Sequence, residues 1–257
     1  MSVVAPVSRL ARINPLAALA TSVVIAVPLV LTLDWVSAAV ALALVFVLTP
    51  LAGIRPRTFW RRSAALWIAA PLAGVTIALY GQPSGASYVE FALVHVTAGS
   101  LALALATTLR ILAIGIPAVL LFTDIDATAL ADGLAQLLHL PARFVLGSLA
   151  AFRLVALIAE DWRSLGRARR ARGVADSAPL RRFAGQAFGL LVLSLRRATK
   201  LATAMEARAF GAPVRRTWAR PSRFGRAEWA MIGLGLIVVV IAVSASVLSG
   251  HWRFVGA

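Results

Sequence analysis

Long apolar runs, more than any motif, decide what this chain can fold into. A bilayer core asks for about 20 consecutive, mostly apolar residues in each crossing helix, and inside lipid such a segment must satisfy its own backbone groups. The stretch "PLAALATSVVIAVPLVLTL" (15–33) qualifies, and after a brief polar break at Asp34 so does "WVSAAVALALVFVLTPLAG" (35–53). "SAALWIAAPLAGVTIALY" (63–80), "ALVHVTAGSLALALATTLRILAIGIPAVLLF" (92–122) and "EWAMIGLGLIVVVIAVSASVLSG" (228–250) follow. Hydrophobic residues make up 60% of the chain, against about 45–50% in soluble domains. The fold class expected is all-α: a polytopic helical membrane protein with about five transmembrane spans and long cytoplasmic helices. The first run lacks a small-residue cleavage site, so no removable signal peptide is expected.

Charge supplies the orientation. The net charge is +16, from 26 Lys+Arg against 10 Asp+Glu. Arg9 and Arg12 precede the first span, and Arg55, Arg57, Arg61 and Arg62 crowd the loop "IRPRTFWRR" (54–62). The turn-rich loop "GQPSGASYVEF" (81–91) has no basic residue. From Thr123 to Arg226 the pattern stays helical but is studded with arginine. The positive-inside rule therefore places the N-terminus, the 54–62 loop and residues 123–226 on the cytoplasmic side. Of the 26 basic residues only Arg110, within a span, and Arg253 then fall elsewhere. Three regions follow: 1–122 with four spans, a cytoplasmic helical region 123–226, and 227–257 with the last span.

Within 123–226 the breaks are readable. "DATALADGLAQLLHL" (126–140) reads as a short amphipathic helix with Asp126 as its N-cap. A long helix is expected from Pro141 to about Arg172, ended by Gly173. Another is expected from about Pro179 to Phe210, ended by Gly211 and Pro213. Its residues Ala187, Leu190, Leu191, Ser194, Ala198, Leu201, Ala202 and Met205 form one apolar, small-residue face suited to helix packing.

The densest basic stretch, "RARRARGVADSAPLRR" (167–182), holds six arginines. Attraction to anionic lipid is one reading. Nucleic-acid binding is a second, and the scarcity of aromatics and the lack of a DNA-binding motif speak against it. Protein docking is the third, and an internal echo favours it. "RRARGVADSAP" (169–179) and "MEARAFGAP" (205–213) both place Ala-Arg-small at a helix end with proline beyond. Arginine in a last turn complements the helix dipole, and its rigid fork suits carboxylates. Glu206, two residues before Arg208, could orient that arginine or pair with a nearby basic side chain, but a solvated role is the expected one. Arg110 lies inside an apolar span, where charge is costly and points to function, or equally to snorkelling or pairing with a backbone carbonyl. Glu160 and Asp161 adjoin, and beside Arg153, Arg163 and Arg167 local ion pairs are expected.

Several chemistries are excluded or unsupported. There is no cysteine, so no disulfide, thiolate site or cysteine nucleophile exists. The sole lysine, Lys200, stands in "RATKLA", which is not the G-x-x-x-x-G-K-[ST] of a P-loop ATPase. His95, His139 and His251 lack metal-ligand spacing. No catalytic residue, cofactor or metal is expected.

At these residues the chain resembles a known family. "RLARINPLAALA", "LLFTDIDATALADGLAQLLHLPARF", "AFRLVALIAEDWRSLGRARRARG" and "RRATKLATAMEARAFG" are similar to the transmembrane T component of energy-coupling factor (ECF) transporters, of the CbiQ type. The family's two short Ala-Arg-Gly-like motifs match Ala171-Arg172-Gly173 in full and Ala207-Arg208-Ala209 except in the last place. The resemblance implies a non-catalytic subunit that joins two cytoplasmic ABC ATPases, identical or different, to a membrane S component that binds a vitamin or metal ion. It implies that Arg172 and Arg208 dock into grooves on the ATPases and that the long helices transmit their closure. The bilayer is then the remaining partner and nucleic acid is none. A stand-alone secondary transporter is the alternative, against which stand the absence of an obvious inverted repeat and the few intramembrane acids.

Overall fold

The computed structural model describes residues 13–54, 56–81, 84–91, 94–122, 125–173, 179–212, 217–250 and 252. The basic lead-in with Arg9 and Arg12, together with Arg55, Pro213, His251 and Arg253, falls outside these residues. The chain divides into two compact units: one built from the chain up to Leu130 together with Ser222 onward, the other from Ala131–Pro221.

In the first unit α1 (Pro15–Leu31) starts with proline at its first position, where the missing N–H is no loss. The Asn14 side chain caps it, accepting from the Leu16 N–H at 3.0 Å. The same residue grips the far end of the sequence. Asn14 Nδ2 donates to Ser222 Oγ at 2.8 Å and to the Arg223 carbonyl at 3.1 Å, and its N–H donates to Glu228 Oε1 at 3.2 Å. The other Glu228 oxygen accepts from the Gly225 N–H at 2.8 Å. That bond caps α8 (Arg226–Leu248) in capping-box fashion. One asparagine and one glutamate thus start two helices side by side.

The hairpin between α1 and α2 (Trp35–Leu48) turns on a buried polar knot. Asp34 accepts from the Ser37 N–H at 2.6 Å and from the Ser37 hydroxyl at 2.9 Å, and Thr32 Oγ1 lies 3.3 Å from Ser37 Oγ. All three residues are buried, and burial is tolerable because their polar atoms are paired. A 3-10 turn, Thr49–Ala52, leads out of α2 toward α3 (Pro56–Tyr80).

Next comes a small antiparallel hairpin, β1 (Ser87–Phe91) and β2 (Val94–Thr97), paired Glu90 to His95 and Phe91 to Val94 with an irregularity between Ser87 and Val89. The sequence reading takes this region as a loop running straight into a span at residue 92. Helix α4 instead spans Ala98–Phe122. Thr97 and Ser100 fix its start reciprocally, each hydroxyl accepting from the other's N–H at 3.2 and 3.0 Å. The Ser100 hydroxyl also lies 3.1 Å from the Ala78 carbonyl of α3.

Helix α4 packs against α1, α2 and α3, and α8 packs against α1 and α2. The core lies where they meet, with Ile25, Leu29, Ala41, Ala113, Val238 and Ala242 in one cluster. Phe59, Ala70, Leu112 and Ile116 anchor a second. Small residues let the helices approach, as expected where lipid tails compete equally for apolar contact. A Cβ on Gly74 of α3 would collide with Thr108 Oγ1 of α4, and one on Gly235 of α8 would lie 2.7 Å from Thr21 Cγ2 of α1.

The second unit begins within α5 (Ala127–Gln136) and contains α6 (Ala142–Ala171) and α7 (Pro179–Ala207). Asp126 does cap α5, accepting from the Thr128 N–H at 3.1 Å. Ala131, Ala135 and Val145 pack with Trp218, and Gln136 Nε2 donates to the Arg220 carbonyl at 2.8 Å.

Among the described residues eight α-helices make up nearly all the regular structure, as an all-α polytopic membrane protein requires, and the short hairpin is the exception. Four helices among the described residues are long and apolar enough to cross a membrane: α3, α4, α6 and α8. The first two expected spans are shorter apolar helices of 17 and 14 residues, about 25 and 21 Å at 1.5 Å per residue. Helix α6, read from sequence as a cytoplasmic helix, meets the criterion because its charges gather at its C-terminal end and leave an apolar window before them.

The close crossing of α1 and α8 is directly testable. Gly235→Leu should lower the thermal midpoint of the detergent-purified chain, since overpacking typically costs about 1–3 kcal/mol. Gly233→Leu should not, because a Cβ at Gly233 meets nothing within 4 Å.

Candidate docking site at two helix ends

The two Ala-Arg-small motifs occupy the same structural position. Arg172 is the C-cap of α6, its N–H bonded to the Ala168 carbonyl at 3.2 Å. Gly173 follows at φ +67° and donates to the Arg170 carbonyl at 3.0 Å. At the end of α7, Arg208 donates to the Met205 carbonyl at 3.2 Å, and Ala209 follows at φ +51°. Ala209 N–H reaches the Glu206 carbonyl and Phe210 N–H the Met205 carbonyl, both at 2.9 Å. That pair of bonds is a Schellman motif. The third motif position is therefore the left-handed residue that ends the helix, which explains why it must be small. Glycine adopts this conformation freely, whereas for an L-residue it costs about 1–2 kcal/mol. The sequence reading puts the end of this helix at Phe210 and its stop at Gly211. The turn is made two residues earlier, by Ala209.

Ala171, Arg172, Gly173, Ala207, Arg208 and Ala209 are all exposed. Glu206 is exposed as well and forms no ion pair with Arg208 among the described residues. The two arginines are not brought together. Arg169, near the end of α6, lies against Gly185, near the start of α7, with Nη2 3.1 Å from the position of a Cβ there. Arg208 sits beyond the other end of α7, whose 29 residues span about 43 Å. The two tips thus lie at opposite ends of one helix.

Helix α7 returns along α6, and polar clamps fix the pair. Arg197 Nη1 donates to Asp161 Oδ2 at 2.5 Å, and Gln186 Nε2 donates to the Trp162 carbonyl at 2.6 Å. The sequence neighbours of Asp161 suggest a local pair, but the ion pair it forms among the described residues is with Arg197, on the returning helix. The expected packing face of α7 is used only in part within the chain: Leu190, Ser194, Leu201 and Met205 are half-buried, while Leu191, Ala198 and Ala202 are exposed. The Gln186 clamp was missed from sequence. Its signal is a lone amide in the otherwise apolar run "FAGQAFGLLVL".

Arg110 is remote in sequence from both tips. It lies within α4 with Nε and Nη2 buried and without a hydrogen-bond partner, so pairing of these atoms with a backbone carbonyl is not seen. Among the described residues no group of His, Asp or Glu could hold a metal ion.

The sequence profile of the CbiQ cobalt transport protein family matches residues 6–218. The chain belongs to the CbiQ family. The matched region takes in α1 to α7 and both arginine tips. Comparison with curated proteins returned no match. Membership in the CbiQ family, with four long apolar helices, makes this a multi-pass membrane protein of a cobalt transport family.

The left-handed alanine yields a stability test. Ala209→Gly should leave the fold intact and raise resistance to thermal unfolding slightly, by about 1 kcal/mol at most. Ala209→Val should lower it, since a β-branched residue is less tolerant of φ +51°. Melting of the two variants in detergent, followed by circular dichroism, checks the order.

Proposed function

We propose that this chain is the energy-coupling T component of an ECF-type importer in the cell membrane, with its N-terminus and the helix-end arginines on the cytoplasmic side. In this reading Arg172 and Arg208 each insert into a groove on one of two ABC ATPases, identical or different, and their neighbours Ala171, Gly173, Ala207 and Ala209 keep the tips slim. A separate S component in the membrane binds the vitamin or metal ion. The chain itself hydrolyses no ATP. Its α6–α7 pair transmits the closing and opening of the ATPases to the S component.

One observation carries the reading: two exposed arginines in matching C-cap positions, separated by the length of α7. A single ligand or a single groove would not use both. Two partners, each taking one tip, would. Among the described residues neither guanidinium is in an ion pair, which leaves each fork to meet carboxylates or carbonyls, and the α6–α7 clamps support the spacing between the tips.

Co-purification tests the docking. Arg172→Glu together with Arg208→Glu should release the ATPases from the membrane subunit, because a buried, hydrogen-bonded charge pair lost at an interface costs about 2–5 kcal/mol. Each single variant should weaken assembly by less. A double variant that still assembles and supports full uptake would overturn the assignment.

A further inference from the structure

Between the C-terminal part of α6 and the first turns of α7 lies a cavity of about 440 Å³. Arg163, Arg167, Arg169, Arg170 and Arg182 line it, with Trp162 and Gln186. Among the described residues no carboxylate lines the cavity and none of the five guanidiniums makes an ion pair. Arg169 is held most firmly, laid against Gly185, with its Nε fully buried and lacking any hydrogen-bond partner. On α6 itself Asp161 is engaged by Arg197 of α7. Five like charges around one cavity, one with an unsatisfied buried donor, describe a site shaped for a multiply accepting anion.

The surroundings narrow the anion. Trp162, at the cavity, stacks edge-on with Phe183 at 5.5 Å. Phe183 and Leu180, which flank Arg182, are 58% and 80% exposed. The apolar window of α6 is unburied within the chain. Arginines and tryptophan at the polar end of an apolar helix surface are the pattern of a bilayer interface. We propose that this cavity binds the phosphate of one anionic phospholipid, with the acyl chains lying along the exposed apolar surface of α6. The site is separate from the tip residues Arg172 and Arg208, so it stands whether or not those dock ATPases.

Native mass spectrometry of the full-length, detergent-purified chain tests this with three probes: phosphatidylglycerol, phosphatidylcholine and soluble glycerol phosphate. One phosphatidylglycerol per chain should be retained in preference to the other two. Arg169→Gln with Arg182→Gln should weaken that retention roughly tenfold or more. Arg196→Gln with Lys200→Gln, which removes equal charge at exposed positions outside the cavity, should leave retention near that of the unmodified chain. Equal loss in both variants would reduce the effect to general attraction and overturn the site. Equal retention of phosphatidylcholine would remove the role of charge, and glycerol phosphate bound as tightly as the lipid would overturn the lipid assignment. Should the cavity variant fail to fold, the ranking of the three probes on the unmodified chain decides.

Discussion

Backbone amides have no water to turn to inside a bilayer, and this constraint orders most of the structure. It makes helices of nearly everything that is apolar and leaves chemistry to the places where helices begin and end. The informative residues accordingly sit at termini. Asn14 and Glu228 start α1 and α8, Asp34 starts α2, and Thr97 and Ser100 start α4. At the C-terminal ends of α6 and α7 the same logic works outward: the chain closes its last turn with a left-handed residue and leaves an arginine exposed beside it.

The two units use polar groups differently. In the first, buried hydroxyls and carboxylates are spent on turns and crossings, while glycines bring α3 to α4 and α1 to α8. In the second, little is buried: Val145 is the buried residue of α6 and Gln186 that of α7. Two clamps, Asp161 with Arg197 and Gln186 with the Trp162 carbonyl, hold the long pair. A helix pair held by a few polar contacts and exposing apolar side chains is suited to making further contacts outside its own chain.

Much of this was legible before any coordinates. Apolar runs announced helices α1 to α4 and α8, and Gly173 announced the end of α6. Three features were not. The hairpin at 87–97 hid because "SYVEF" and "VHVT" border an apolar run that reads as one span, and only the Thr97–Ser100 pair marks the true start of α4. The end of α7 was misread because Gly211 is the obvious stop, while the left-handed turn falls on an alanine that propensity disfavours. The Asp161–Arg197 pair depends on how α7 returns along α6, and charge order along one helix does not report it. The motif residues themselves were readable from their repetition. Their separation by a full helix was not, because it requires the direction in which α7 runs along α6.

The alanine at the end of α7 gives the two arms unequal stiffness. Both close with a left-handed residue, but at Gly173 that conformation is intrinsic and at Ala209 it is held against a preference of about 1–2 kcal/mol. For otherwise equal turns, a net difference of about 1 kcal/mol at most, once the freedom glycine regains on opening is counted, makes the last turn of α7 open up to about 5-fold more often than that of α6. The molecule therefore carries one rigid tip and one pliant tip, an asymmetry that persists even if the surfaces they meet are identical.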